Sequence, residues 1–382
     1  MRLCPDEKGV IIGKQQKMTR YYRTLGLMSG TSLDGVDVAM IETDGLAELR
    51  PLGFLFCPYE EDFRKRLRGC FGRAEGTSDP AVRAVEEEMT RLHAEAVLDF
   101  LAQEDLRAED IDLIGFHGQT IWHNPAARET VQIGDGALLA RMTDIDVVND
   151  FRTADVKAGG QGAPLVPLYH RALAAGLKKP TAIINIGGVS NITWIGGERD
   201  DELLAFDLGP GNALIDDWIL RHVGENCDRD GVCAARGAVD EKHIVKFLEH
   251  PFFQVKPPKS LDRDVFAGFV PEGASVEDGA ATLTMMSVAA IAKGLEAVPV
   301  LAREVYIAGG GRHNATMMRW LAERTGLSIK SVDALGWNGD AVEAEAFAYL
   351  AVRSVLGLPL SVPNTTRVSQ PMTGGKLNKG IA

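Results

Sequence analysis

The sequence lacks any run of about 18 consecutive apolar residues, the length a helix needs to cross a bilayer, so no membrane span is expected. Residues 1–23 carry Lys8, Lys14, Lys17, Arg20 and Arg23 but no apolar stretch of the secretory kind. Cysteine is scarce: five in 382 residues (Cys4, Cys57, Cys70, Cys227 and Cys233), with no C-x-x-C spacing. That excludes a zinc ribbon or dithiol redox site, and the Cys227–Cys233 gap has no His or second Cys pair to complete a tetrahedral set. An excess of positive charge is also missing. Lys and Arg number 41 against 53 Asp and Glu, a formal net charge of −12, which excludes nucleic acid or an anionic membrane as a partner held by bulk charge. A soluble cytoplasmic chain is expected, with residues 1–19 an N-terminal extension without fixed structure and Met18 an alternative start.

Glycine is plentiful instead: 41 residues, above the usual ~7%. Several glycines sit in short turns directly after apolar strands. The strand Thr24–Ser29 is followed by Gly30-Thr31-Ser32-Leu33-Asp34-Gly35 and then a second strand, Val36–Thr43. A P-loop or a dinucleotide fold would place a helix after the glycines, so both are excluded here. The same pattern returns at Thr181–Ile186, Gly187-Gly188-Val189-Ser190-Asn191 and Ile192–Ile195, which suggests a duplicated unit. Further strands at Ile111–Phe116, Asp146–Val148, Leu203–Leu208 and Val305–Ala308 alternate with helices at 81–104, 212–223, 314–324 and 340–355, placing the chain in the α/β class. The segment 158–164, rich in glycine, reads as a domain boundary.

The chemistry-bearing residues cluster at the ends of these strands. Successive backbone N–H groups and hydroxyls in the GTSLDG turn could hold phosphate oxygens, and Asp34 or Asp37 could hold Mg²⁺ through water, although an ordinary polar hairpin turn would look the same. Asp207 ends an apolar strand ahead of Gly209-Pro210-Gly211 and Asn212, a rigid place for a general base; fixing the turn is the plainer alternative. The strand–Gly309-Gly310-Gly311–helix unit suits a ligand resting on backbone, or tight packing. Arg152 and Asp155, after a strand, could bind a carboxylate-bearing or hydroxylated substrate, and His117 could donate to a sugar hydroxyl. Glu343, on the late helix, reads by itself as a solvated glutamate.

Paired phosphate hairpins and a late glycine turn are similar to the actin, sugar-kinase and heat-shock ATPase superfamily. The strings GLMSGTSLDGVD, HGQT, VQIGDGALLA, DFRTADVKAGGQGAPLVP, NIGGVSNIT, FDLGPGN and GGGRHN resemble the bacterial anhydro-N-acetylmuramic acid kinase family, from about Leu25 to Val355. The resemblance implies two duplicated actin-like (ribonuclease H-like) ATPase domains with a nucleotide cleft between them. Domain I would take residues 20–158 plus 361–382 and domain II residues 159–360. The implied reaction uses ATP, Mg²⁺ and water to open 1,6-anhydro-N-acetylmuramic acid and phosphorylate O6. Asp207 would be the catalytic base. Gly30, Thr31, Ser32, Leu33, Asp34, Gly35, Val36 and Asp37 would hold ATP, with Gly187, Gly188, Ser190 and Asn191 and with Gly309, Gly310 and Gly311. His117, Arg152, Asp155, Gly209, Asn212 and Glu343 would lie on the substrate side. A homodimer is also implied. Two rivals remain: another sugar kinase of the superfamily, and a nucleotide-binding module without catalysis.

Overall fold

A computed structural model describes residues 20–30 and 33–381; the expected N-terminal extension and the positions Thr31 and Ser32 lie outside them. The first half contains β1 (Tyr22–Met28), β2 (Gly35–Thr43), β3 (Leu49–Pro58), β4 (Leu113–Phe116), a small hairpin of β5 (Gln119–Asn124) and β6 (Glu129–Ile133), and β7 (Val147–Asn149). The second contains β8 (Thr181–Ile186), β9 (Val189–Ile195), β10 (Leu203–Pro210), β11 (Glu304–Ala308) and β12 (Ser328–Ser331), before β13 (Lys376–Asn378) returns to the first sheet.

Both sheets follow one plan. In the first, β3, β2 and β1 form an antiparallel meander, and β4 and β7 continue in parallel beyond β1. In the second, β10, β9 and β8 form the meander, and β11 and β12 continue in parallel beyond β8. The duplication suggested by two short glycine strings therefore extends to the order and direction of five strands, the ribonuclease H-like arrangement. Central strands are largely apolar because both faces are covered. On the first sheet one face lies against Pro80–Gln103, a helix capped by the Asp79 carboxylate, which accepts from Ala81 N at 2.8 Å, with Pro80 in its first turn.

The other face takes the helix Val342–Val355, which packs on β1, β2 and β4. Gly26 and Gly115 are partners in the parallel β1–β4 register. A Cβ at either would run into helix backbone, at the carbonyl oxygens of Ala344 and Phe347 respectively. This glycine trough and the alanines above it bring helix and sheet together at backbone distance. The boundary read at residue 360 thus differs from the packing: the late helix belongs against the first sheet. Conversely, Pro167–Leu173 packs against β9 and β10 of the second sheet. The two helices cross where Tyr169 donates to the buried Glu345 and stacks edge-on against Tyr349, ring centroids 5.8 Å apart. The C-terminal segment bridges Ser361 to Met372 and supplies β13 along β7 of the first sheet.

Candidate functional site: a cleft and an inner cavity

The β1–β2 and β8–β9 turns face one another across a cleft of about 760 Å³. Gly30, Asp34 and Asp37 line it from the first half and Gly187, Gly188 and Gly309 from the second, joined by Asp340 and Glu343. The turns are held from behind. The carboxamide nitrogen of Gln119, from the HGQT string, donates to the carbonyls of Ser29 and Gly30, both at 3.2 Å. Arg64 donates to Leu33 O at 2.7 Å. On the opposite side, Asn212 donates from Nδ2 to Ile186 O at 3.1 Å and from its backbone N to Gly187 O at 2.7 Å. Asn212 makes no side-chain cap to the helix Ala213–Val223 that it precedes; it braces the Gly187 turn instead. Gly309 has φ 73°, and a Cβ there would strike Asn185 Oδ1. Arg312 then ties this turn to the chain before the last long helix, donating to Gly309 O at 3.1 Å and to both carboxylate oxygens of Asp340 at 2.9 and 2.8 Å.

Deeper in lies a cavity of about 200 Å³ lined by Asp207, Asn191, Asn185, Arg152, Glu343 and Ala308, among others. Strand register builds its floor. Asp207 of β10 is opposite Asn191 of β9, Asn191 is opposite Asn185 of β8, and Asn185 is opposite Ala308 of β11. Cross-strand neighbours lie about 5 Å apart, so a carboxylate and two carboxamides stand in one row. Thr193, two residues along β9 and hence on the same face, extends the lining beside His170, whose Nδ1 is 2.8 Å from Thr193 Oγ1. Cleft and cavity share Asn185, Gly339 and Glu343.

Burial pushes the Asp207 carboxyl up to about 7; the Leu261 N–H, donating at 2.7 Å, opposes the rise and Asp262 adds to it. A base with that value is poised near neutral pH, where proton transfer is most effective. Asp37 is likewise pushed up to about 7, by burial and then by Asp34, Glu343 and Asp340 around it. Burial raises Glu343, with the Arg152 charge opposing. The carboxylates of the cleft thus surround a region that a cation would relieve. No group of three His, Cys, Asp or Glu among the described residues is arranged to ligate a metal directly. Oxygen donors spread around a polar cleft fit a hydrated Mg²⁺ rather than a dehydrated one.

The structure brings together Gly30, Asp34, Asp37, Gly187, Gly188, Gly309, Asn191, Asp207, Arg152 and Glu343. Other expected site residues sit elsewhere. Leu33 and Val36 are core side chains, and Gly35 lies against the Cys57 carbonyl. Ser190 is buried and donates to the carbonyls of Gly209 and Pro210 at 3.1 and 3.2 Å. Gly209 itself packs against Ala290, and Gly311 against Ile186; Gly310 is exposed beside Asn212. His117 is buried behind Arg152 and lines neither space. The carboxylate of Asp155 faces inward, accepting from Gly162 N at 2.7 Å, Thr366 Oγ1 at 2.6 Å and Ser361 Oγ. Asn185, Thr193, His170, Gly339 and Asp340 line the two spaces without being expected from the sequence. Asn185 had a visible signal, since it and Asn191 bracket the five residues Ile186–Ser190 around the turn; the others depend on tertiary placement.

A family model described as anhydro-N-acetylmuramic acid kinase matches residues 22–379. Two proteins named anhydro-N-acetylmuramic acid kinase are similar throughout. The one from Rhizorhabdus wittichii is 50% identical over 355 residues, covering 92% of this chain and 97% of the relative. The one from Paramagnetospirillum magneticum is 52% identical, covering 92% and 98%. Among solved structures, component A of the Acidaminococcus fermentans (R)-2-hydroxyglutaryl-CoA dehydratase is similar at TM-score 0.47 and 14% identity over 87% of this chain and 99% of that one. Schistosoma mansoni hexokinase complexed with glucose is similar at TM-score 0.41 and 11% identity over 87% and 85%. Matched over nearly its whole length by the family model and by relatives at about half identity, the chain belongs to the anhydro-N-acetylmuramic acid kinase family.

Proposed function

We propose that the chain uses ATP and water to open the 1,6-anhydro bridge of 1,6-anhydro-N-acetylmuramic acid and to phosphorylate O6, giving N-acetylmuramic acid 6-phosphate. The observation that carries this reading is the adjacency of the two spaces: the cavity lined by Asp207 and the cleft faced by both glycine hairpins share Asn185, Gly339 and Glu343 in their walls. A sugar in the cavity and a triphosphate in the cleft would meet at that junction.

In this scheme Asp207 takes a proton from a water attacking C1. The C1–O6 bond breaks and O6 forms the new bond to the γ-phosphorus, with ADP leaving. Backbone N–H groups of the Gly30 and Gly187–Gly188 turns supply donors for phosphate oxygens, so catalysis comes mainly from positioning and charge neutralisation. Mg²⁺ bound through water near Asp34 and Asp37 would offset phosphate charge. Asp340, held by Arg312, and Glu343 would border the transferred group. No helix among the described residues is long and apolar enough to cross a membrane. An ATP-consuming enzyme of this kind would work in the cytoplasm, and the family resemblance implies a homodimer, checked by mass measurement in solution.

Asp207→Asn keeps the shape of the side chain and removes the base. Its kcat should fall by about 10²–10⁴-fold, the usual contribution of a general base, with KM for ATP little changed. Near-normal turnover would remove Asp207 from the mechanism.

A further inference from the structure

Among the described residues Arg152 is the only cationic side chain lining the inner cavity, since burial holds His170 neutral, its value pushed down to about 3. Its side chain is half-buried, yet it makes no ion pair among the described residues: Glu343 and Asp155 favour its charge from beyond ion-pair distance. Both groups that hold it are neutral. Arg152 Nε donates to His117 Nε2 at 3.0 Å and Nη1 donates to Gly162 O at 2.7 Å, which leaves Nη2 without a hydrogen bond among the described residues. A half-buried guanidinium with no directly paired anion is costly, and an anionic ligand would complete it.

We propose that His117 is a positioning residue that aims the Arg152 guanidinium, without neutralising it, at the carboxylate of the substrate's lactyl ether. The proposal rests on the functional reading above and names the group that selects the acidic sugar. His117 is 5% exposed, and its Nδ1 is 2.7 Å from Gly118 O, so Nδ1 carries the hydrogen and Nε2 is the acceptor that Arg152 requires. Burial first, and the Arg152 charge second, keep the ring in this neutral form. The Phe347 ring supports both, 4.5 Å from the His117 ring and 5.9 Å from the Arg152 guanidinium. A carboxylate in place of His117 would hold Arg152 equally well but would cancel the charge that recruits an anion. Gly162, the second anchor, is fixed in turn by Asp155, which gives that inward-facing aspartate its part in the site. Arg152 lines the cavity and not the cleft, so the anion it meets belongs to the sugar and not to the triphosphate.

The test compares 1,6-anhydro-N-acetylmuramic acid with 1,6-anhydro-N-acetylglucosamine, which lacks the lactyl group, in the full-length protein and in His117→Leu, His117→Gln, Arg152→Met and the Leu/Met double variant. His117→Leu should raise KM for the lactyl sugar about tenfold, consistent with weakening a hydrogen bond to a charged group, while kcat and KM for ATP stay within about threefold. Its preference for the lactyl sugar over the truncated one should fall by the same factor. His117→Gln, which restores an acceptor near Nε2, should recover most of that preference. The double variant should be no worse than Arg152→Met alone. Equal losses on both sugars, a loss confined to kcat or to ATP, or additive losses in the double variant would overturn the proposal. Unmodified protein that turned over neither sugar would overturn the functional reading and this proposal together, whereas normal turnover with an unaltered preference in His117→Leu would overturn this proposal alone.

Discussion

At Asp207 the backbone and the side chain are both committed. Its N–H donates to Lys259 O at 2.8 Å, one carboxylate oxygen accepts from Leu261, and the β10 register shifts between Asp207 and Gly209. A base with a value near 7 is mostly protonated, and idle, under acidic conditions. Activity should therefore fall as pH drops through about 7, approaching a tenfold loss in kcat/KM per pH unit well below it. A flat profile from pH 8 to pH 5 would contradict the assignment. The sequence singled out this carboxylate as a polar residue closing an apolar strand before Gly-Pro-Gly, with turn fixing as the alternative, and the structure lines the inner cavity with it. Asp155 carried an equally suggestive signal and proved to be internal. Nothing in a linear string distinguishes a carboxylate facing a cavity from one facing Ser361 and Thr366, more than 200 positions away.

Strands and hairpins could be read from sequence because their determinants are local: apolar runs, β-branched residues and glycine turns. The helix Val342–Val355 shows where local reading stops. Its composition announces a helix, but which sheet it covers is decided by Gly26 and Gly115, far away in the chain and in register with one another. Replacing either with alanine puts a methyl group into the helix backbone and should destabilise the protein by about 1–3 kcal/mol, measured by chemical denaturation. Because that helix carries Glu343, the Gly26→Ala protein that remains folded should also lose turnover. Full stability in Gly26→Ala would show that the helix does not lie against β1 in solution.

On the scale of the whole molecule, two sheets of the same plan exchange helices, and the buried Tyr169–Glu345 hydrogen bond sits at the crossing. Tyr169→Phe leaves the Glu345 carboxyl unpartnered and should cost about 1–3 kcal/mol. Burial also raises Glu345 to about 7, as it does Asp37, Asp207 and Asp216. An unfolded carboxyl titrates near 4, so the folded, ligand-free protein binds these protons more tightly than the unfolded chain does. That stabilisation is complete below about pH 4 and is lost as pH rises through about 7. From these groups, Tm of the ligand-free protein should increase between pH 8 and pH 5, opposite to the trend in activity; a Tm that fell over that interval would contradict the burial of these carboxylates.

The account depends most on what becomes of the water that Asp207 is said to activate. Turnover of the anhydro sugar with ATP in ¹⁸O-labelled water, with the product fragmented in a mass spectrometer, locates that oxygen directly. Label at the C1 hydroxyl with none in the phosphate would match attack on the acetal carbon as O6 accepts the phosphoryl group. Label in the phosphate, or a product formed without solvent oxygen, would contradict it.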